Sequence, residues 1–255
     1  MNFINQPTSA QIKLFNSLKN KKKRDENRLF IAEGEKLCNE AFNSSYKVNS
    51  LLLKKESSSN SKEIAKKYER KKIPVYFLNE KTFNRICDTV TPQDIIAVLN
   101  YREDKPINDE SFVALDQISD PGNIGTIIRT AEWFGFNQVL LSESCADKYN
   151  PKLVRATMGS LFRMNIISGL NFSQSLRNIF PEHIFLGASL NAKKSIEQFK
   201  PNKKFGLFFG NEAHGLSAKT KYLLDEEFRI KGDKAESLNV AVAAGIALYY
   251  FKEID

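Results

Sequence analysis

Phe205-Gly-Leu-Phe-Phe-Gly-Asn-Glu-Ala-His-Gly-Leu-Ser217 reads as a short buried strand, Phe205 to Phe209, that stops at Gly210 and opens into a polar turn. Gly210 and Gly215 bracket that turn, which carries Asn211, Glu212 and His214. Open α/β sheets bind ligands in the loops that follow the carboxyl ends of their strands. Further along stands Glu236-Ser-Leu-Asn-Val-Ala-Val-Ala-Ala-Gly-Ile-Ala-Leu248. Ser237 and Asn239 are good helix N-cap types. The helix they open is too apolar and too small-sided to face water. Val240, Ala244 and Leu248 share one face, and Ala241 with Gly245 lets another backbone approach closely. A glycine-bracketed loop and a polar helix start together make a pocket of backbone amides and carbonyls.

A chain of 255 residues is expected to hold two domains, because single cores stop growing near this size. Its composition, 42% hydrophobic and 27% charged, is that of an ordinary soluble globular protein. The apolar run from Leu238 to Phe251 is too short for a membrane span, ends at Lys252 and reads as a buried helix. The N-terminal residues have no hydrophobic signal-peptide core. Cys38, Cys87 and Cys145 are widely spaced and form no CxxC pair. That pattern predicts reduced thiols in a cytoplasmic protein, not disulfides or a zinc site. With His183 and His214 the only histidines, no metal site is expected.

The net charge of +8 is uneven: residues 1–105 hold 21 Lys and Arg against 13 Asp and Glu, and residues 106–255 hold 17 of each. A basic module that touches a polyanion, joined to a module that need not, gives this signature. A basic solvated surface without a specific partner gives it too.

In order, the pattern predicts a helix over Ser9–Asn20 and a basic run, Lys19 to Arg28, that is a solvated loop or helix end, or a phosphate contact. Strands at Leu29–Ala32, Val48–Leu53, Ile73–Leu78 and Ile95–Tyr101 alternate with helices at Gly34–Phe42, Ser61–Lys72 and Lys81–Asp88. That is a small α/β domain over residues 1–103. Polar residues 104–110 read as a linker, and 111–255 as the second domain. There, Phe112–Asp116 is a buried strand. Ser119-Asp-Pro-Gly122 is a turn before a helix that begins at Asn123, with Ile124, Ile127, Ile128, Ala131 and Phe134 as its core face. Gln138–Ser142 completes a βαβ unit. Asn150–Met164 reads as one helix with Lys152 and Arg155 exposed. Strands follow at Ile184–Ser189, Phe205–Phe209 and Glu227–Lys231.

Asp120-Pro-Gly-Asn-Ile-Gly-Thr-Ile-Ile-Arg-Thr-Ala131 resembles the first motif of the SpoU (TrmH-like) RNA 2′-O-ribose methyltransferases. Gly210-Asn-Glu-Ala-His-Gly-Leu-Ser217 resembles their second motif, and Ser237-Leu-Asn-Val-Ala-Val-Ala-Ala244 their third. Lys22-Lys-Lys-Arg with Phe30-Ile-Ala-Glu-Gly34 resembles the RNA-binding domain, similar to ribosomal protein L30e, that often precedes them. Three motifs in order at suitable spacing are specific where one alone is weak. The resemblance implies an α/β protein: a small L30e-like domain, then a SPOUT-type parallel sheet with a C-terminal trefoil knot. Patterning alone gives a plain unknotted sheet. The resemblance also implies a homodimer through the knotted domain and S-adenosylmethionine bound in the knot loops. Two departures stand out: Ala213-His214 replaces the usual Gly and variable residue, and the Ile230–Ser237 segment is one residue short and lacks a common Pro.

By resemblance, Asn123, Arg129, Glu212, Ser237 and Asn239 line the catalytic site. Ser189, Gly210, Asn211, Ile230, Leu238 and Asn239 hold the cofactor, and Lys21, Lys22, Lys23, Arg24, Arg28 and Arg155 contact RNA. Methyl transfer to a ribose hydroxyl is an in-line displacement, so the protein must align the oxygen and help remove its proton. Family schemes often make the arginine the base, but a guanidinium stays protonated. Arg129 is better read as a bidentate phosphate grip that stabilises the developing alkoxide, the proton leaving through that phosphate or a water. Plainer readings stand beside these. Arg129 is a surface arginine, Glu212 a charged turn residue, Ser237 a helix cap, Ile230 and Leu238 core residues, His214 a loop residue and Trp133 packing. The expected activity is S-adenosylmethionine-dependent 2′-O-methylation of structured RNA, ribosomal before transfer RNA. A non-catalytic RNA-binding ribosome assembly factor on the same fold is the rival reading. A nucleotide-binding enzyme of another reaction is weak, since the chain has neither GxGxxG nor a P-loop lysine.

Overall fold

The computed structural model describes residues 6–233 and 236–252. Its contacts divide the chain into two units, one of residues 1–103 with 149–163 and one of residues 104–148 with 164–255. Residues 149–163 therefore belong to the first unit although they lie between two strands of the second.

In the first unit, α1 (Ser9–Ser17) opens with a capping box in which Thr8 and Gln11 satisfy each other's backbone amides. Of the readings open for the basic run, the structure takes the helical one: it folds as α2 (Lys21–Asn27), capped by Asn20 and ended by Arg28 at φ 53. Then come β1 (Leu29–Glu33), α3 (Glu35–Phe42), β2 (Val48–Lys54), α4 (Ser59–Arg70), β3 (Val75–Leu78), α5 (Glu80–Ile86) and β4 (Ile95–Asn100). The sheet runs β1-β4-β2-β3. β4 is antiparallel to both its neighbours, and β3 is parallel to β2. Phe15, Leu18, Leu52, Phe83 and Val98 share a core between this sheet and the α1 and α5 helices.

The second unit is built on β5 (Phe112–Asp116), α6 (Pro121–Trp133) and β6 (Gln138–Ser142). α6 starts two residues before Asn123, because Asp120 caps it and Pro121 fits its first turn. Gly135, at φ 82, takes the left-handed position just past its end. The helix expected over Asn150–Met164 is only α7 (Pro151–Ala156), in the first unit. Met158 at φ 52 and Gly159 at φ 106 break it. β7 (Asn165–Leu170), α8 (Gln174–Ile179), β8 (Ile184–Ala188), β9 (Lys194–Ser195), β10 (Phe205–Gly210), α9 (Ala218–Leu223), β11 (Glu226–Arg229) and α10 (Val240–Lys252) complete the unit. All seven strands are parallel in the order β7-β6-β5-β10-β8-β11-β9. Residues 104–110 are tied to this unit rather than loose. Gln138 donates to the Asn108 carbonyl at 2.9 Å, and Asn165 to that of Pro106 at 3.1 Å.

Packing fixes one small-residue position. A Cβ on Gly206 would stand 2.4 Å from the Phe112 ring, so any larger residue there must push that buried ring aside. α10 packs on α6, with Thr130 close to Gly245. α10 is not wholly buried as its composition suggests, since Val242, Ile246 and Tyr249 are exposed. Trp133, read as a packing residue, is 83% exposed on α6. No helix among the described residues is long and apolar enough to cross a membrane.

Candidate active site

Because β5, β10, β8 and β11 are adjacent and parallel, the loops after them open on one edge of the sheet. Asp116 ends β5, is 3% exposed, and accepts the Ser217 amide at 2.8 Å. Gln117, next in the chain at φ 58, gives its carbonyl to the Asn211 side chain at 3.0 Å. Asn211 Oδ1 accepts the amides of Ala213 and His214 at 2.9 and 3.3 Å. Its backbone pairs with Gly215 in both directions. This turn closes so tightly that a Cβ on Gly210 would lie 2.2 Å from the Gly215 carbonyl carbon.

Three separated motifs are joined here by side chains. Asn123 Nδ2 donates to Glu212 Oε1 at 2.6 Å, and Asn239 Nδ2 donates to Asn123 Oδ1 at 3.1 Å. Asn239 Oδ1 in turn accepts the Ala241 and Val242 amides at 2.9 and 3.4 Å, which makes Asn239 the N-cap of α10. Ser237 lies two residues before that cap.

Beside this link is a cavity of about 940 Å³. Ser189, Gly210, Asn211, Glu212, Ile230, Ser237 and Leu238 line it. Asn123, Asn239 and Arg129 are not among its lining residues. Arg129 is exposed on α6. The sequence reading missed Leu190, Asp233 and Glu236, which also face the cavity. Their signal was positional: they follow β8, which lies beside β10, and β11, the next strand out.

The basic residues of the first unit divide by role. Lys21 and Lys23 pair with Asp25 and Glu26 on their own helix at 3.3 and 2.7 Å, and Lys22 is exposed. Arg28 is exposed, with its guanidinium carbon 4.8 Å from the Tyr101 ring centre. Arg24 is corrected. It is 1% exposed and donates to the carbonyls of Leu18 and Lys19 at 2.9 and 2.8 Å, so it braces the α1–α2 corner and reaches no phosphate. Arg155 is half-buried rather than exposed and pairs with Asp88 at 2.8 Å and Glu33 at 3.5 Å.

A family model described as the SpoU rRNA Methylase family matches residues 110–249, and one described as an MRM3-like substrate binding domain matches residues 9–97. The 23S rRNA (guanosine(2553)-2′-O)-methyltransferase RlmP of Bacillus subtilis is 32% identical over 254 residues, 99% of this chain and 100% of that protein. The AdoMet-bound rRNA methyltransferase from Sinorhizobium meliloti has a similar structure, with a TM-score of 0.85 and 30% identity over 98% of this chain and 97% of that one. AviRb from Streptomyces viridochromogenes, in complex with AdoMet, has a TM-score of 0.84 and 25% identity over 96% of this chain and 98% of its own. The fold is therefore the α/β fold of SPOUT methyltransferases with its parallel sheet. The motif-bearing loops, the sheet that gathers them and these likenesses agree, and the chain belongs to the SpoU rRNA methylase family.

Proposed function

We propose that this chain transfers a methyl group from S-adenosylmethionine to a ribose 2′-hydroxyl of ribosomal RNA. The observation that carries the reading is the hydrogen-bonded link Glu212–Asn123–Asn239, which joins three distant loops beside a ligand-sized cavity. RlmP, named as a 23S rRNA 2′-O-methyltransferase, aligns with essentially the whole chain, which supports the same reaction class.

The cavity fits the cofactor. Leu190, Phe209, Ile230 and Leu238 offer apolar surface for an adenosine, and Glu212, Asp233 and Glu236 offer carboxylates to a sulfonium and an ammonium group. Gly215 and Gly232 leave open space where a side chain would stand. When bound, the cofactor supplies the electrophilic methyl group. Gly210, Asn211, Ser189, Ile230 and Leu238 hold it. Glu212 and Asn239 fix the Asn123 amide, which orients the incoming ribose. Arg129, permanently charged and exposed, grips the nucleotide's phosphate and stabilises negative charge on the 2′-oxygen as its proton leaves through that phosphate or a water.

The first unit delivers the RNA. It holds 23 Lys and Arg against 12 Asp and Glu, whereas the second holds 15 against 18. The excess is steeper than a simple cut at residue 105 gives, and it favours polyanion binding by the first unit alone. The protein works as a homodimer through the exposed apolar face of Trp133, Val242, Ile246 and Tyr249. The return of α10 from β11 to α6 and β10 supports the C-terminal knot. Three free cysteines fit a cytoplasmic location.

Calorimetric titration with S-adenosylmethionine, with NAD as control, tests the cofactor. Mapping 2′-O-methyl sites in ribosomal and transfer RNA from cells lacking the protein tests the substrate. Saturable cofactor binding and one lost ribosomal site are expected. RNA binding with no cofactor binding would instead favour the assembly factor. Light scattering on the purified protein tests the dimer, and Tyr249→Asp is expected to give monomers.

A further inference from the structure

The basic run of α2 is the obvious place to seek RNA contact, yet of Lys21, Lys22, Lys23 and Arg24 only Lys22 is neither paired nor buried among the described residues. Lys21 and Lys23 are paired with carboxylates on the same helix, and Arg24 is buried. A second basic feature in the first unit has no such neutralisation. α1 and α5 pack together, and between them opens a groove of about 340 Å³. Lys13 and Arg85 flank it, both exposed, and no acidic residue lines it. Among the described residues neither cation is in an ion pair. Ser9, Asn16 and Thr82 add side-chain hydroxyl and amide groups, and Ile12 and Ile86 give part of the wall an apolar surface.

We infer that this α1–α5 groove is an RNA-backbone site: Lys13 and Arg85 bind phosphates, and the hydroxyl and amide groups bind the sugar. This rests on the proposed RNA substrate and names where the first unit holds it. The chemistry is that of phosphate recognition. A guanidinium offers paired N–H donors and a lysine a mobile charge. Hydroxyl and amide side chains supply the further phosphate and sugar hydrogen bonds that position nucleic acid without reading its sequence. The uncompensated pair is worth more to a polyanion than Lys21 and Lys23, which must first release Asp25 and Glu26.

The test is the binding of transcribed 23S rRNA by the full-length protein over a salt series, for wild type, Lys13→Glu/Arg85→Glu, and Lys62→Glu/Lys66→Glu as a control of equal charge change on α4. Both pairs are exposed, so folding is expected to persist, and S-adenosylmethionine affinity is measured on each protein to show it. The groove variant is expected to bind RNA roughly tenfold more weakly. Its dependence of log affinity on log salt should flatten by about two contacts. The control is expected to lose much less. Equal losses in both variants would mean a diffuse field and overturn the groove, as would wild-type affinity in the groove variant. If wild type itself neither binds nor methylates this RNA while binding the cofactor, the proposed substrate has failed, and the groove with it. Wild-type methylation with an unaffected groove variant sinks the groove alone.

Discussion

Asn123 Nδ2 donates to Glu212 Oε1 at 2.6 Å, and this bond joins the start of α6 to the turn after β10. It exists because β10 lies directly beside β5, so the loops after the two strands are neighbours. A hydrogen bond to a carboxylate contributes about 1.5–3 kcal/mol. Replacing Glu212 with Ala is therefore expected to lower kcat by roughly 10- to 100-fold. Glu212→Gln keeps an acceptor oxygen and should fall between that and wild type. Single-turnover methyl transfer measures this, and wild-type rates in Glu212→Ala would remove Glu212 from the site.

Arg129 is exposed and outside the cofactor cavity, so its loss should separate chemistry from binding. Arg129→Ala is expected to cut methyl transfer about 10²- to 10³-fold, as loss of a charge-stabilising donor does elsewhere. S-adenosylmethionine affinity by calorimetry should stay within about twofold of wild type. If the active variant kept its rate, the role assigned to Arg129 would be wrong.

Gly210 has no room for a methyl group. Its Cβ would meet the Gly215 carbonyl carbon at 2.2 Å and the Leu216 amide nitrogen at 2.4 Å, both backbone atoms. Gly210→Ala must open the turn that Asn211 pins. The expected cost is about 1–3 kcal/mol, seen as a fall in Tm of at least about 2 °C. Cofactor affinity should fall as well. A variant with wild-type Tm and affinity would show that the turn is looser than its hydrogen bonds imply.

His183 predicts a pH dependence of stability. It is 3% exposed, its Nε2 meets the Glu110 carbonyl at 3.1 Å, and its Nδ1 stands 3.8 Å from Asp109. Burial holds its pKa below the ordinary value of 6.5, while the Glu110 carbonyl and Asp109 partly oppose that shift. The unfolded chain then binds the proton more tightly than the folded one. The stabilisation is complete above the ordinary imidazole range and declines as pH falls below it, levelling off once the folded group is also protonated. Urea denaturation from about pH 7.5 down to about pH 5 should show the decline, and His183→Gln should lessen it. An identical slope in the variant would assign the effect to other groups.

Period and punctuation marked most elements in advance. β5 and β6 occupy the residues their apolar runs indicate, and β10 runs one residue past its expected end, to Gly210. Asp120 and Pro121 are themselves the cap and first turn of α6, so the helix begins earlier than Asn123. β9 was not legible because it is two residues long, and α9 because six residues give too little period. α7 was overextended because Ala156 to Met164 keeps helical composition, while the left-handed turn at Met158 and Gly159 depends on where the chain must go next.

The sequence by itself determined which residues could act: the three motif loops, the glycine-bracketed turn, the apolar final helix and the basic N-terminal half. Those are local facts, set by composition, spacing and capping chemistry. The tertiary structure decided which of them meet. Asn123, Glu212 and Asn239 join only because strand order places β10 against β5 and returns α10 to α6. It also decided which charges are free. Arg24 and Lys13 look alike in a count of basic residues, yet one is buried against carbonyls and the other faces a groove. Burial and pairing are set by contacts between segments far apart in the chain, and no local pattern encodes them.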